Sequence, residues 1–220
     1  MSSNAEFRLS ADEALLRLKA GNERFVEGKA SLPTVQWEIM ADLAKGQHPY
    51  ATILSCSDSR VPPELIFDAG FGELFIIRVA GNVMSPEVAG SIQYAARHLC
   101  TPLFVVLGHM HCGAVAAAIE TRLRGVRQHS RIQILVDSIL PGLAELDLQL
   151  PPEVMLAQAV EANVRWSMHQ ILDSPEGRER QSDERVKLVG AIYEIETGRV
   201  RFLEMSSAGV TGPEKKSPPA

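Results

Sequence analysis

The chain has 220 residues, of which 45% are hydrophobic and 22% are charged, and its formal net charge is −5. This composition is typical of one globular domain and excludes wholesale disorder, while the negative charge argues against a nucleic-acid-binding role. No apolar run reaches the roughly 20 residues that span a bilayer. The polar N-terminus has no secretory signal and the chain has only three cysteines, so we expect a cytoplasmic protein with reduced thiols.

The first part of the chain predicts two helices. Ser10 and Glu13 have the spacing of a capping box, and apolar residues recur at helical intervals until Gly28. A second amphipathic pattern covers Val35–Lys45 and stops at Gly46.

Three short apolar runs follow, and each is typical of a strand that is covered on both faces. They are Tyr50–Ser55, Glu73–Val79 and Leu103–Gly108. Helical patterns from about Pro86 to His98 and from Gly113 to about Arg124 alternate with these strands. This alternation indicates right-handed crossovers and a parallel sheet.

The remaining elements complete the sheet. Val186–Ile195 predicts a fourth strand, and the turn at residues 196–198 predicts a hairpin to a last, antiparallel edge strand. Two helices are predicted before it, at about 129–146 and 153–172, and the polar segment 174–185 is expected to be a loop. We therefore predict an α/β fold with a mostly parallel central sheet of about four strands, an antiparallel edge strand and helices on both faces.

Borderline metal ligands follow two of the predicted strands. Cys56 comes directly after the first strand, and His109 and Cys112 follow the third. The carboxyl ends of neighbouring parallel strands meet at one edge of a sheet, so these side chains are expected to face one region. A catalytic zinc site has three protein ligands and one open position, and two thiolates with one imidazole fit this arrangement.

Asp58 and Arg60 lie in the same loop as Cys56. A carboxylate paired with a guanidinium stays ionised and keeps its orientation. Such a carboxylate can accept a hydrogen bond from a hydroxide on the metal and direct it at an electrophile.

Each of these residues also has a simpler interpretation. Cys56 alone suits a buried small hydrophobe, His109 a turn residue, and Asp58 with Arg60 a solvated pair. The occurrence of both ligand loops after strands of one sheet favours the metal. His111 lies between two ligands and is expected to point away from the ion as a surface histidine, with a proton relay as the alternative.

Two motifs give the chain a specific resemblance. CSDSRV at residues 56–61 and GHMHCG at residues 108–113 are similar to the motifs of the β-class carbonic anhydrases, and FIIRVAGN at 75–82 extends the match. The resemblance covers nearly the whole chain. It implies one Zn²⁺ per chain held by Cys56, His109 and Cys112, with Asp58 and Arg60 as a catalytic dyad beside it.

The resemblance also implies a substrate pocket and an assembly. Gln47 matches a residue that hydrogen-bonds substrate or bicarbonate, Phe75, Ala80 and Tyr94 match an apolar wall around carbon dioxide that draws on both subunits, and Gly113 matches a small residue that leaves the metal face open. The implied assembly is a dimer or a dimer of dimers.

The resemblance further implies that residues 1–45 form a helical arm that packs on a neighbouring subunit and that 46–205 form the catalytic core. The composition of residues 206–220 separately predicts a disordered tail.

Two branches of the family differ at one position in this region. One branch has an inhibitory bicarbonate pocket that uses a tryptophan three residues before the first cysteine, where this chain has Ile53. Together with Gln47, this residue makes the chain similar to the branch whose site stays open.

The expected activity is reversible hydration of carbon dioxide by attack of a zinc-bound hydroxide. Three alternatives remain: hydrolysis of carbon disulfide or carbonyl sulfide at the same zinc, a cysteine hydrolase that uses Cys56, His109 and Asp58, and a non-catalytic zinc module closed by Asp58.

Overall fold

Five strands form one sheet in the computed structural model, which describes residues 9–31, 37–180, 183 and 185–203. The strands are β1 (Ala51–Ser55), β2 (Leu74–Arg78), β3 (Leu103–His109), β4 (Lys187–Tyr193) and β5 (Val200–Phe202). Their spatial order is β2-β1-β3-β4-β5, and every neighbouring pair is parallel except β4 with β5. The predicted fold, including the antiparallel edge strand, is confirmed.

The helices of the described residues lie between and around these strands. They are α1 (Ala11–Val26), α2 (Trp37–Leu43), α3 (Pro63–Ile66), α4 (Pro86–Tyr94), α5 (Gly113–Arg124), α6 (Ile132–Ile139), α7 (Pro152–Asp173) and α8 (Pro175–Arg180). The pattern predicted at Pro86–His98 is divided, because α4 continues as a π-helical turn at Ala95–Leu99. Similarly, α6 is followed by a 3₁₀ turn at Leu140–Leu143.

Both faces of the sheet are covered, which explains why β1 and β3 are buried throughout. Ile53 and Val105 point to the face covered by α1. The alternate residues Leu54 and Val106 point to the face covered by α5, α6 and α7. Side chains alternate along a strand, so a strand buried on both faces needs apolar residues at every position.

The first helix is formed as predicted and packs on its own chain. The Ser10 side chain accepts a hydrogen bond from the Glu13 backbone N–H, and the Glu13 carboxylate accepts one from the Ser10 backbone N–H. Ala14 and Leu18 are fully buried against the sheet, whereas Leu16 on the outer side is 64% exposed. Packing of residues 1–45 on a neighbouring subunit stays a prediction.

One predicted loop is wrong in part. Within the polar segment 174–185, residues Pro175–Arg180 form α8. Ser174 caps this helix, because its Oγ accepts a hydrogen bond from the Gly177 N–H at 3.0 Å, and Pro175 has the backbone angle that a first helical residue requires. A polar composition excludes burial of the segment but does not exclude a short exposed helix.

The expected tail at 206–220 lies outside the described residues. In the part of the chain that the structure describes, no helix combines the length and the apolar character needed to cross a membrane.

Candidate metal centre

The three predicted ligands meet at the carboxyl ends of β1 and β3. These strands pair in parallel with Ser55 opposite Leu107, so Cys56 and His109 leave neighbouring strands at almost the same level. Cys112 follows three residues later, directly before α5. Their Sγ and ring nitrogen atoms all lie within 4.8 Å of one another, and all three side chains are buried. The geometry predicted from the strand ends is therefore present.

The imidazole of His109 is oriented for metal binding. Its Nδ1 lies 2.8 Å from the Met110 carbonyl oxygen, which accepts a hydrogen bond from it and leaves the Nε2 lone pair free. Nε2 is fully buried and has no hydrogen-bond partner among the described residues. A buried nitrogen without a partner is costly, and a metal ion bound there would remove that cost. The donor set of two sulfurs and one nitrogen fits Zn²⁺.

The two cysteine sulfurs influence each other strongly. A hydrogen bond from the Cys112 thiol lowers the pKa of Cys56 to about 4, although burial opposes this shift. The same hydrogen bond, together with burial, raises the pKa of Cys112. The pair therefore favours one thiolate and one thiol, and two thiolates at this distance require a cation between them.

The helix that follows Cys112 partly offsets the rise in the pKa of this residue. Cys112 is the N-cap of α5, and the backbone N–H groups of Ala114 and Val115 donate hydrogen bonds to its sulfur, which lowers its pKa. A helix N-terminus favours negative charge, so the sequence order of ligand, glycine and helix supports a thiolate at Cys112.

Asp58 and Arg60 form the predicted ion pair at the edge of the site. The Arg60 Nε and Nη2 atoms donate to the two oxygens of Asp58 at 3.0 and 2.7 Å. These hydrogen bonds hold the pKa of Asp58 well below its usual range. Asp58 Oδ2 lies 3.9 Å from His109 Nε2, so the carboxylate faces the position where the metal would be.

Two residues that support this loop were not assigned a role from the sequence. Arg78 donates from Nε to the Cys56 carbonyl at 3.0 Å and from Nη2 to the Asp58 carbonyl at 2.6 Å. The Gly81 N–H donates to Cys56 Sγ at 3.3 Å. Both residues belong to the FIIRVAGN motif, so this motif was the sequence signal from which their supporting role could have been found.

The five predicted substrate residues divide into two groups. Ala80 and Gly113 lie at the metal end, next to Gly81 and Cys112. Apart from its chain neighbours and its own helix, no atom of the described residues lies within 4 Å of the position that a Cβ at Gly113 would take.

The other three predicted substrate residues lie towards the amino ends of the strands. Phe75 is paired in register with Thr52, four residues before Cys56. Its ring contacts that of Tyr94, with centroids 6.1 Å apart, and Gln47 is exposed just before β1. Four residues of extended chain span about 13 Å, so Phe75, with Tyr94 beside it, lies away from the metal ligands of its own chain. Gln47 precedes the amino end of β1.

His111 has the position expected of a surface residue. Its backbone is left-handed, with φ 56°, and its side chain is half exposed. Its Nε2 lies 2.5 Å from a Glu196 carboxylate oxygen. The surface position agrees with the first of the two interpretations made from the sequence, and the proton relay stays an alternative.

The fold and the site together define a class of protein. It is an α/β protein in which two neighbouring parallel strands deliver a buried Cys–His–Cys group, and within the described residues that group contains three ligands. Three protein ligands and an adjacent oriented carboxylate are typical of a catalytic metal centre rather than a closed structural one.

Comparisons with known sequences agree with this class. The family model for carbonic anhydrase matches residues 51–200. Carbonic anhydrase 2 of Mycobacterium tuberculosis is 37% identical over 187 residues, which cover 83% of this chain and 87% of that protein. The carbonic anhydrase of Synechococcus elongatus is 32% identical over 209 residues, which cover 86% of this chain and 74% of that protein.

Solved structures give the same result. A tetrameric β-carbonic anhydrase of Sordaria macrospora has a TM-score of 0.70 at 25% identity, covering 77% of this chain and 88% of that chain. The β-carbonic anhydrase CafA of Aspergillus fumigatus has a TM-score of 0.68 at 27% identity, covering 88% of this chain and 90% of that chain. The chain therefore belongs to the β-class carbonic anhydrases, which are zinc enzymes.

Proposed function

We propose that this protein catalyses the reversible hydration of carbon dioxide to bicarbonate and a proton, with one Zn²⁺ held by Cys56 Sγ, His109 Nε2 and Cys112 Sγ. The observation that carries the proposal is the buried ligand group, whose atoms lie within 4.8 Å of one another while His109 Nε2 has no hydrogen-bond partner among the described residues. Family membership supports the same activity.

When bound, the zinc would supply a Lewis acid that brings the pKa of a coordinated water towards neutrality. The residues of the chain provide orientation and charge. Arg60 occupies both oxygens of Asp58, so this carboxylate stays ionised and fixed. Asp58 Oδ2 lies 3.9 Å from His109 Nε2. From there it can accept a hydrogen bond from the attacking water and keep that water's oxygen directed at the substrate carbon.

The proposed substrate pocket combines residues from two subunits. Ala80 and Gly113 lie beside the ligands in the same chain, whereas Phe75, Tyr94 and Gln47 lie near the other end of the sheet. Membership in a family with a tetrameric member supports a homo-oligomer. We therefore propose that a second copy, in a dimer or a dimer of dimers, completes the apolar wall, and that the outer side of the 1–45 arm contributes to that contact.

We also propose that the site belongs to the open branch of the family. Both oxygens of Asp58 are engaged by Arg60, which keeps the carboxylate from closing onto the metal. Ile53 is fully buried in the core below α1, where the other branch has the tryptophan of its bicarbonate pocket. Cys56, Cys100 and Cys112 form no disulfide in the structure, which suits the cytoplasmic location expected from the sequence.

The geometry argues against the cysteine hydrolase alternative. An orienting carboxylate would have to hold the Nδ1 side of His109, as in a catalytic triad. Nδ1 is instead bonded to the Met110 carbonyl, and Asp58 lies on the Nε2 side. The Asp58–Arg60 pair likewise argues against a non-catalytic module that Asp58 closes.

Stopped-flow hydration of carbon dioxide, with zinc analysis of the same sample, tests the proposal. We expect about one zinc per chain, and Cys112→Ser should lose both the metal and the activity. Cys100→Ser is the matched control, because Cys100 is an exposed thiol outside the ligand group, and it should keep both. A zinc-free protein with full activity would overturn the proposal, and zinc-dependent turnover of carbon disulfide or carbonyl sulfide alone would favour that alternative.

A further inference from the structure

The sulfur of Cys56 accepts a hydrogen bond from a backbone turn that lies outside the two ligand loops. The donor is the Gly81 N–H, at 3.3 Å from Sγ. Gly81 is the central residue of a 3₁₀ turn at Ala80–Asn82, between β2 and α4. The direction of this N–H, and hence the hydrogen bond, depends on the conformation of the turn.

This turn has an unfavourable backbone conformation. Gly81 has φ 70°, and the next residue, Asn82, has φ 44° although it is not a glycine. A Cβ at Gly81 would lie 2.9 Å from Ile139 Cδ1 and 3.1 Å from Ala114 Cβ, so the turn is also tightly enclosed. Left-handed backbone at a non-glycine residue costs free energy and persists where the surrounding structure fixes it.

Two side chains of α7 hold the Ala80–Asn82 turn in this conformation. Asn163 Nδ2 donates to the Gly81 carbonyl at 2.8 Å, and Ser167 Oγ donates to the Asn82 carbonyl at 2.9 Å. They are one helical turn apart and almost fully buried, on a helix face that otherwise carries apolar residues such as Val160 and Val164. The chain thus places two polar groups in the core at this point.

Packing alone would favour an apolar residue in place of Asn163. Asn163 Oδ1 is buried and has no hydrogen-bond partner among the described residues, so the amide is kept although half of it is unsatisfied. Burying such a group is unfavourable, and an apolar residue would avoid the cost. A requirement for the donor on Nδ2 explains why an asparagine occupies this position.

We infer that Asn163 and Ser167 are positioning residues, which hold the Ala80–Asn82 turn so that the Gly81 N–H donates to Cys56 Sγ and reduces the negative charge that this thiolate gives to the zinc. Hydrogen bonds to a ligating sulfur tune a metal site in this way. The inference rests on the proposed zinc ligands and does not depend on the substrate.

Cobalt substitution tests the inference because the thiolate-to-cobalt charge-transfer band reports on the sulfur itself. We expect Ser167→Ala and Asn163→Ala to shift this band to longer wavelength, since a sulfur without the hydrogen bond gives up its electrons more easily. Zinc affinity, measured by chelator competition, should fall about 10-fold, because the loosened turn would no longer keep Cys56 Sγ oriented towards the other two ligands. Ser167→Thr, which keeps the hydroxyl, should restore the band position.

Met168→Ala is the matched control. Met168 is a buried residue of the same helix that faces β4 near Gly190, and its loss should leave the band unchanged. An unshifted band in both Ser167→Ala and Asn163→Ala, or an equal shift in Met168→Ala, overturns the inference alone. The absence of any thiolate-to-cobalt band in the unaltered protein overturns the proposed zinc ligands, and the inference with them.

Discussion

The two ends of the central sheet differ in what one chain supplies. At the carboxyl ends of β1 and β3, the ligand atoms and the Asp58–Arg60 pair are assembled within a single chain. Near the amino ends, Phe75 and Tyr94 contact each other and Gln47 is exposed, at a distance from those ligands. Under the proposed function, metal binding is therefore a property of the single chain, whereas full activity is a property of the assembly.

The largest effect is expected at the metal end. Asp58→Asn removes the fixed negative charge but leaves the three ligands, so carbon dioxide hydration should fall about 10–100-fold while zinc content stays unchanged. Stopped-flow rates and metal analysis on one sample measure both quantities. Loss of zinc in this variant would contradict the separation between the ligands and Asp58.

Mixed assemblies test whether the other end completes the site of a neighbour. Tyr94→Ala should lower activity without loss of zinc, and Cys112→Ser should abolish it. When the two variants are unfolded together and refolded in equal amounts, about a quarter of the sites in two-fold dimers should regain an intact metal and an intact wall.

The matched control for this mixture pairs Cys112→Ser with Asp58→Asn. Both changes lie at the metal end of the same chain, so no mixed dimer contains a complete site and activity should not recover. Equal recovery in the two mixtures, or none in either, would contradict the proposal that the wall is shared between subunits.

A smaller effect is expected from Tyr50, at the amino end of β1. Burial raises the pKa of Tyr50 to about 12. The folded state thus favours the neutral phenol. The resulting contribution to the free energy of unfolding is fully present below about pH 10 and is lost as the pH rises through about 12. The free energy of unfolding of the unaltered protein, measured in urea, should fall by on the order of 2 kcal/mol over that range. The free energy of unfolding of Tyr50→Phe should fall by less. The same loss in both proteins would contradict this assignment.

The smallest effect concerns the N-terminal helix. Ser10→Ala removes the side chain that caps α1, so the free energy of unfolding should fall by about 1 kcal/mol. Because the inner face of α1 packs on its own sheet, this loss should not depend on protein concentration. A concentration-dependent loss, measured by thermal unfolding, would indicate that the helix is held mainly by a neighbouring subunit.

The sequence predicted those features that depend on local pattern and on strand ends. Cys56 and His109 could be brought together because each follows a buried apolar run, and parallel strands end at one edge. The Asp58–Arg60 pair follows from a spacing of two residues in one loop. The N-terminal capping box was visible in the same way.

Features that depend on distant contacts could not be predicted. Asn163 and Ser167 lie more than 80 residues from the turn that they support, and nothing in a helical pattern tells which polar residue faces inwards. Likewise, α8 was missed because polar composition reports exposure rather than conformation. The partners of Phe75 and Tyr94 across an assembly cannot be read from one chain.

X-ray absorption at the zinc edge tests the central claim most directly, because it counts the atoms around the metal. The account predicts two sulfurs, one imidazole nitrogen and one oxygen from solvent, with the same oxygen distance in the unaltered protein and in Asp58→Asn. Fewer than two sulfurs, or an oxygen distance that changes in Asp58→Asn because the carboxylate itself is the fourth ligand, would contradict it.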